Sequence, residues 1–598
     1  MTKNIRGRDE IDPQYRWDLT AIFATQEDWE RLFAETEALM AEGEAFRGRL
    51  TGSAQTLRDC LVWADRLEAG LEELFAYARM KRDEDNRDAF YQNLTGRAMT
   101  LVVQAGGALS FIEPELLAAE DGVLEALRRD PLLADFARTL DEIIRNKPHV
   151  LSPAEEKLLA ATGELAQGPG NIFSMLNDAD IKFGEIEDED GRKAELTKGS
   201  YIRFLESPRR SVRETAFRAL YRAYKAQTNT LAALYNASVK TDCFYAKARR
   251  HPSALAAALF SANVPPAVYD NLISAVREFL PDFYRYMALR QKTLGLGDLR
   301  MYDMHTPLVP EARAFYTYEE ARDIVLEALA PLGEEYLDVL RRAFAGRWID
   351  VRETEGKTSG AYSWGTYASH PYVLLNHQDT LDSLFTLAHE MGHALHTWYS
   401  NANQPHRYAG YKIFVAEVAS TLNETLLIRH LLTRAADKEQ KAYLLNHYLD
   451  QFRGTVFRQT MFAEFEKLTH AAAEAGESLT AEMLGREYRA LNALYHGPSV
   501  TLDAEIDLEW ARIPHFYNAF YVYQYATGFA AATALAEGIL REGEPAVKKY
   551  LAFLSGGCSD YPLALLQRAG VDMASPEPVR RALEVFAGMV RELETLLE

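Results

Sequence analysis

Apolar residues recur at helical spacing over most of this chain and alternate only in a few short stretches. From about residue 10 to about 180, apolar positions fall three and four apart among good helix formers, with little Gly or Pro inside the runs, as over 57–81 and 89–103. Ser152-Pro153-Ala154-Glu155-Glu156 sets a hydroxyl cap, a first-turn proline and first-turn acids in succession, which predicts a helix start. The pattern changes over 181–196, where alternating residues around Asp190-Gly191 predict a β-hairpin. Helical spacing resumes over 201–294. A second β-like patch lies within 299–376: 347–352 and 372–376 read as strands, 356–360 as a loop, and 361–367 alternates small and aromatic residues. Beyond 380 the pattern is helical again. The expectation is a mainly α protein with a small β-sheet just ahead of residue 381. Its domains would be an N-terminal helical domain over 1–200, ending in the hairpin, and a second domain over 201–598.

Composition narrows the class. The 598 residues are 48% hydrophobic and 26% charged, which is a globular balance with ample material for a core. Eighty-seven acidic against 66 basic residues give a formal charge of −21, so a nucleic-acid partner, which would want a basic face, is not expected. The first ten residues hold no apolar signal region, and no run of about 18 apolar residues is present, so neither secretion nor a membrane span is expected. Cys60, Cys243 and Cys558 are isolated and odd in number, which predicts no disulfide framework and a cytoplasmic setting.

The chemistry concentrates at 384–396. Leu381, Leu384, Phe385, Ala388 and Leu395 recur at helical spacing and predict a buried amphipathic helix. On it, His389 and His393 are four apart and share a face, with Glu390 one step round: the H-E-x-x-H arrangement of two metal ligands and a proton-accepting carboxylate. A catalytic zinc wants three protein ligands. The extended motif that supplies a downstream histidine would need Gly at 396 and His at 399, but His396 and Tyr399 stand there. A glutamate from a following helix is the other source. Phe414, Val418, Leu422 and Leu426 predict a helix over 412–433, with Glu417 and Glu424 seven apart on one face. At 1.5 Å per residue they stand ~10 Å apart along the axis, so one ligates and the other supports. Glu417, in the apolar stretch 414–419, is the candidate ligand. Glu424 reads equally as a support for a histidine ring N–H or as an ordinary ion-pair partner. His396 reads as structural, and His370, His377, His406 and His430 as surface or loop residues.

A metal held this way lowers the pKa of water from about 15.7 to about 7, a difference of roughly 11 kcal/mol. Glu390 could then take the proton and pass it to a leaving amine, so amide hydrolysis is the natural reaction. An oxyanion wants a further donor. Tyr517, Tyr521 and Tyr525 are four apart and would line one face of a helix, although such a stripe on its own reads as core.

Taken together, His389-Glu390-Met391-Gly392-His393, the stretch 414–420, and His515 through Tyr525-Ala526-Thr527-Gly528 resemble the M3 family of zinc peptidases, in its oligoendopeptidase F branch. Arg16-Trp17-Asp18-Leu19 also looks like that branch. The resemblance implies one Zn2+ per chain on His389, His393 and Glu417, with Glu390 as general base. It implies that His515 and a nearby tyrosine bind substrate and stabilise the oxyanion; spacing favours Tyr525, then Tyr521, and Gly528 occupies the place of a further tyrosine. It also implies a two-lobed helical ellipsoid with a deep central channel that admits short unfolded peptides. The stretch 361–367 could serve as an edge strand for an extended peptide, giving broad specificity. The expected protein is a cytoplasmic zinc endopeptidase of oligopeptides. The alternatives are a zinc carboxypeptidase of related fold and a catalytically dead, peptide-binding helical scaffold.

Overall fold

A computed structural model describes residues 5–309 and 315–598. Helices hold 72% of the residues and strands 3%, as the hydrophobic spacing predicts. The elements used below are α1 (Ala54–Glu84), α2 (Ala89–Leu109), α3 (Thr228–Ala248), α4 (Leu381–Asn403), α5 (Ile413–Arg434), α6 (Arg458–Glu474) and α7 (Tyr523–Glu542). The strands are β1 (Glu185–Glu187), β2 (Lys193–Glu195), β3 (Leu299–Arg300), β4 (Ile349–Asp350), β5 (Tyr362–Trp364), β6 (Tyr372–Leu374) and β7 (Val500–Thr501). No single helix among the described residues is long and apolar enough to cross a membrane.

The chain forms two compact units, each assembled from separated stretches. The first takes the described residues of Met1–Val150, Ala314–His430 and Leu535–Gly570; the second takes those of Leu151–Arg313, Leu431–Ala534 and Val571–Glu598. Residue 200, where the sequence pattern returns from hairpin to helix, lies inside the second unit. The hairpin packs on the helix Arg210–Lys225 that follows it, so this change of pattern marks a change of secondary structure within one unit.

In the second unit, β1 and β2 pair antiparallel with Ile186 opposite Ala194. Asp188 closes the turn by accepting from the Asp190 and Arg192 amides at 2.9 and 2.8 Å, and Gly191 takes the left-handed φ of +78° that the turn requires. The short β3 and β7 pair in parallel.

In the first unit, β4, β6 and β5 form one sheet in that order, with β4 parallel and β5 antiparallel to β6. All three residues of the central β6 are fully buried, and β5 is an edge strand. Tyr372 and Leu374 of β6 join the core formed by α1 and α2, which includes Leu57, Leu67, Leu74, Met80, Leu94 and Leu101. α4 lies over β5 and β6 and against the helices Tyr318–Ala328, Glu334–Ala345 and Glu544–Leu554. Surrounded in this way, it is buried on nearly every side, with Leu384, Leu387, Ala388, Met391, Ala394 and Leu395 at 0% exposure. The Thr380 hydroxyl caps its first turn by accepting from the Ser383 amide at 3.2 Å.

A buried charge cluster ties the sheet to the chain around it. Asp350, at 2% exposure, meets Lys357 Nζ at 2.7 Å and accepts from Arg8 at 2.6 Å. The fully buried Lys357 also donates to the carbonyls of Asp350, Arg352 and Leu375, so one ammonium stitches β4 to the segment after β6. Removing one member of such a cluster leaves the others buried and underpaired. Lys357→Met is therefore expected to cost about 3–5 kcal/mol in a denaturant titration. A loss below about 1 kcal/mol would show that the cluster does not hold the sheet.

Candidate active site

The helical repeat brings His389 and His393 of α4 side by side, ring centroids 4.9 Å apart and rings nearly perpendicular at 81°. Glu417 of α5 faces both. Its Oε2 lies 3.3 Å from His389 Nε2 and 3.6 Å from His393 Nε2, and one donor atom from each of the three residues falls within 4.8 Å of the other two. Two donors each about 2.0–2.1 Å from a zinc ion at a tetrahedral angle stand roughly 3.3 Å apart, so these donors fit a metal of that size.

α5 can come this close because of Gly392. A Cβ at that position would stand 2.6 Å from Ser420 Cα, 2.7 Å from Ala419 O and 2.8 Å from Ser420 N, all of them backbone atoms of α5. Two buried side chains of α5 steady this arrangement, one across the contact and one within the helix. Asn423 Nδ2 donates to Ala388 O at 3.1 Å, and the Ser420 hydroxyl donates to Glu417 Oε2 at 3.0 Å, which fixes the carboxylate. Glu424, two turns beyond Glu417, meets the other ring nitrogen of His389: its Oε1 pairs with Nδ1. Glu424 thus holds His389 by Nδ1, which sets the ring plane and leaves Nε2 facing Glu417.

The electrostatics separate the carboxyls. Burial disfavours charge on His389, but its hydrogen bonds to Glu417 and Glu424 outweigh this and raise its pKa to about 10. Burial acts to raise Glu417 as well, and its hydrogen bonds to His389 and His393 overcome it, holding the carboxyl far below the usual range. Glu390 goes the other way. It is 7% exposed, its Oε2 is buried without a hydrogen-bond partner, and burial raises its pKa against the pull of the two histidines. Carboxyls in one site are thus shifted in opposite directions by their surroundings.

His396 is 1% exposed and stacks on Tyr411 at 3.8 Å and 6°; burial, helped by His393, lowers its pKa to about 3. Tyr411 itself bonds Thr397 at 3.0 Å, and burial pushes its pKa up to about 12. Together they back the site helix. His370 stacks on Trp348, His406 bonds Glu72 and His430 pairs with Glu327. His377 lies in the loop after β6, in keeping with the expectation of a surface or loop residue, but is 5% exposed and packs edge-on to Tyr318. Gly392, Ser420, Asn423 and Tyr411 were not singled out by the sequence. Only a glycine inside a strong helical run pointed to any of them.

In the second unit, His515, Tyr521 and Tyr525 form a cluster, with ring centroids 6.4, 6.0 and 5.5 Å apart. Burial and then the charge of Arg458 hold His515 below its ordinary pKa. The single helix expected through Tyr517, Tyr521 and Tyr525 does not form. Pro514–Tyr517 is one short 3-10 turn, Phe520 takes a left-handed φ of +58°, and α7 begins only at Tyr523. Tyr517 therefore leaves the stripe and stacks on Phe173 at 4.2 Å and 22°.

Comparison with known proteins identifies the family. Residues 203–585 match the model of Peptidase family M3, and residues 115–183 match that of Oligopeptidase F. The chain is 46% identical over 592 residues to the Oligopeptidase PepF of Bacillus subtilis, covering 99% of this chain and 88% of that one. It is 43% identical over 600 residues to an Oligoendopeptidase F homolog of Lactococcus lactis, covering 100% and 99%. The crystal structure of oligoendopeptidase-F from Enterococcus faecium superposes with a TM-score of 0.74 at 38% identity, over 95% of this chain and 99% of that one. The chain belongs to peptidase family M3, a family of metallopeptidases, and within it to the oligoendopeptidase F branch. It is a metalloendopeptidase, and its His389, His393 and Glu417 cluster fits an HExxH metal site.

Gly392→Ala is expected to push α5 away from α4 and to weaken metal retention at least tenfold in a chelator competition. Parent-like retention would show that the two helices can part without disturbing the donors.

Proposed function

We propose that His389, His393 and Glu417 hold one zinc ion, and that the protein hydrolyses internal bonds of short, unfolded oligopeptides. The observation that carries this reading is the meeting of three donors beside a buried Glu390 oxygen that has no hydrogen-bond partner. Two histidines and a glutamate with a further position open are the donor set of a catalytic zinc. Zinc so held supplies Lewis acidity, bringing the pKa of water to about 7 and polarising a carbonyl.

The chain's own residues do the rest. Glu390 is the general base: it accepts a proton from the attacking water and delivers it to the leaving nitrogen, a role its raised pKa suits. Glu424 holds His389 by its second ring nitrogen, and Ser420 holds Glu417. Tyr525, with Tyr521 beside it, donates a hydroxyl hydrogen bond to the oxyanion, and His515 binds the substrate backbone. The edge position of β5 supports main-chain pairing with an extended peptide, which gives affinity with little demand on side-chain identity. The names of the relatives, oligopeptidase and oligoendopeptidase F, favour this reading over a carboxypeptidase or an inert peptide-binding scaffold. Three free cysteines suit a reducing compartment, and we place the enzyme in the cytoplasm.

Glu390→Gln is expected to keep its full metal content and lose about 10²–10⁴-fold in kcat. Retained activity in the metal-replete variant would remove Glu390 from the role of base. Tyr525→Phe should lower kcat by about 10²-fold with a smaller change in KM. Parent-like values would pass the oxyanion role to Tyr521. Both are read with a quenched peptide blocked at both ends, and mass spectra of the products confirm internal cleavage.

A further inference from the structure

Between His515 and α7 the chain passes through Phe520, whose φ of +58° is a conformation that a bulky L-residue adopts only under constraint. Two contacts impose it. The Phe520 ring packs against His470 at 4.4 Å and Tyr269 at 5.8 Å. Its backbone N–H donates to Glu466 Oε1 at 2.9 Å. Glu466 lies on α6 at 0% exposure, and its Oε2 is buried with no hydrogen-bond partner. Burial, opposed by the Phe520 amide and aided by Asp242, holds this carboxyl well above its ordinary value.

A carboxyl in such a place is costly, and an apolar side chain of the same shape would pack there at less expense. Nothing in the peptide-cleavage chemistry uses it. What it does touch is the amide of the left-handed residue. After Phe520 the chain winds directly into α7: the Gln524 amide donates to Tyr521 O and the Tyr525 amide to Val522 O, both at 3.2 Å. The backbone angle at residue 520 therefore sets where Tyr521 points and how α7 enters.

We propose that Glu466 is a positioning residue, whose reach to the Phe520 amide pins the left-handed turn and so holds Tyr521 and Tyr525 in register with His515. Its effect on turnover rests on the role given above to those tyrosines; its effect on the turn does not.

The test separates reach from charge. Glu466→Gln keeps the length and the acceptor and cannot ionise. Glu466→Asp keeps the acid and falls short by about 1.5 Å. Metal content, kcat, KM and amide hydrogen exchange over 513–525 are measured for both. Glu466→Gln should match the parent within about twofold in kcat and in exchange. Glu466→Asp should exchange faster over 513–525 and lose on the order of 10²-fold in kcat, with KM within about threefold. Should that variant not fold, Glu466→Met keeps the shape without the acceptor and carries the same expectation. Unchanged exchange in the short variant overturns the pinning, as does a Glu466→Gln as impaired as Glu466→Asp. Faster exchange with parent-like kcat, in a protein whose Tyr525→Phe variant is slow, overturns the link to catalysis. If Tyr525→Phe, Tyr521→Phe and His515→Ala all keep parent turnover, the role given to the cluster falls, while the exchange still decides the pinning.

Discussion

The metal centre of this peptidase depends on how closely two helices approach. The backbone of α5 lies so near Gly392 that no side chain fits between them, and the Asn423 amide bonds across the gap to Ala388 O. That approach puts Glu417 Oε2 within 3.6 Å of both imidazole nitrogens. A donor set for a small cation tolerates errors of only a few tenths of an ångström, so the helix–helix distance is part of the chemistry. The burial of α4 on nearly every side serves the same end, since a helix that cannot shift keeps its ligands where they are.

Buried and half-buried carboxyls recur in this fold, and each neighbourhood shifts them differently. Glu417 is kept ionised by two histidines, while Glu390, a short distance away on the same helix as those histidines, is raised by burial. Glu509, 4% exposed, is held down at about 2 because Arg458 and Arg512 outweigh its burial. Glu466 has backbone and Asp242 for company, and burial raises it. One residue type thus appears as a carboxylate facing two histidines, a buried carboxyl without a hydrogen-bond partner at one oxygen, an ion-pair partner and a buried hydrogen-bond acceptor. The difference lies in which carboxyls bond a cation directly: Glu390 stands beside the same two histidines as Glu417, but its buried Oε2 has no hydrogen-bond partner.

Main-chain contacts matter as much as side chains. The sheet that underlies α4 is only three strands of two or three residues, too small to stand by itself. It holds because β6 is buried in the α1 and α2 core and because Lys357 ties carbonyls of separate segments together. β5 keeps one edge of that sheet, adjoining the helix that carries His389 and His393.

Much of this was legible in the chain because the signals are local. A helix places residues four apart on one face whatever surrounds it, so the pairing of His389 with His393 and the shared face of Glu417 and Glu424 follow from spacing alone. The same holds for the Asp190-Gly191 turn and the helical class. Tertiary structure decided what spacing cannot carry. The assembly of each unit from separated stretches arises from contacts between residues far apart in the chain, which leave no periodic trace. The tyrosine stripe failed because the Phe520 turn, which Glu466 meets from another helix, breaks the run before α7. Gly392 shows the divide most plainly. In the sequence it is a poor helix former inside a strong helix, and only the backbone of α5 pressed against it shows why no side chain can stand there.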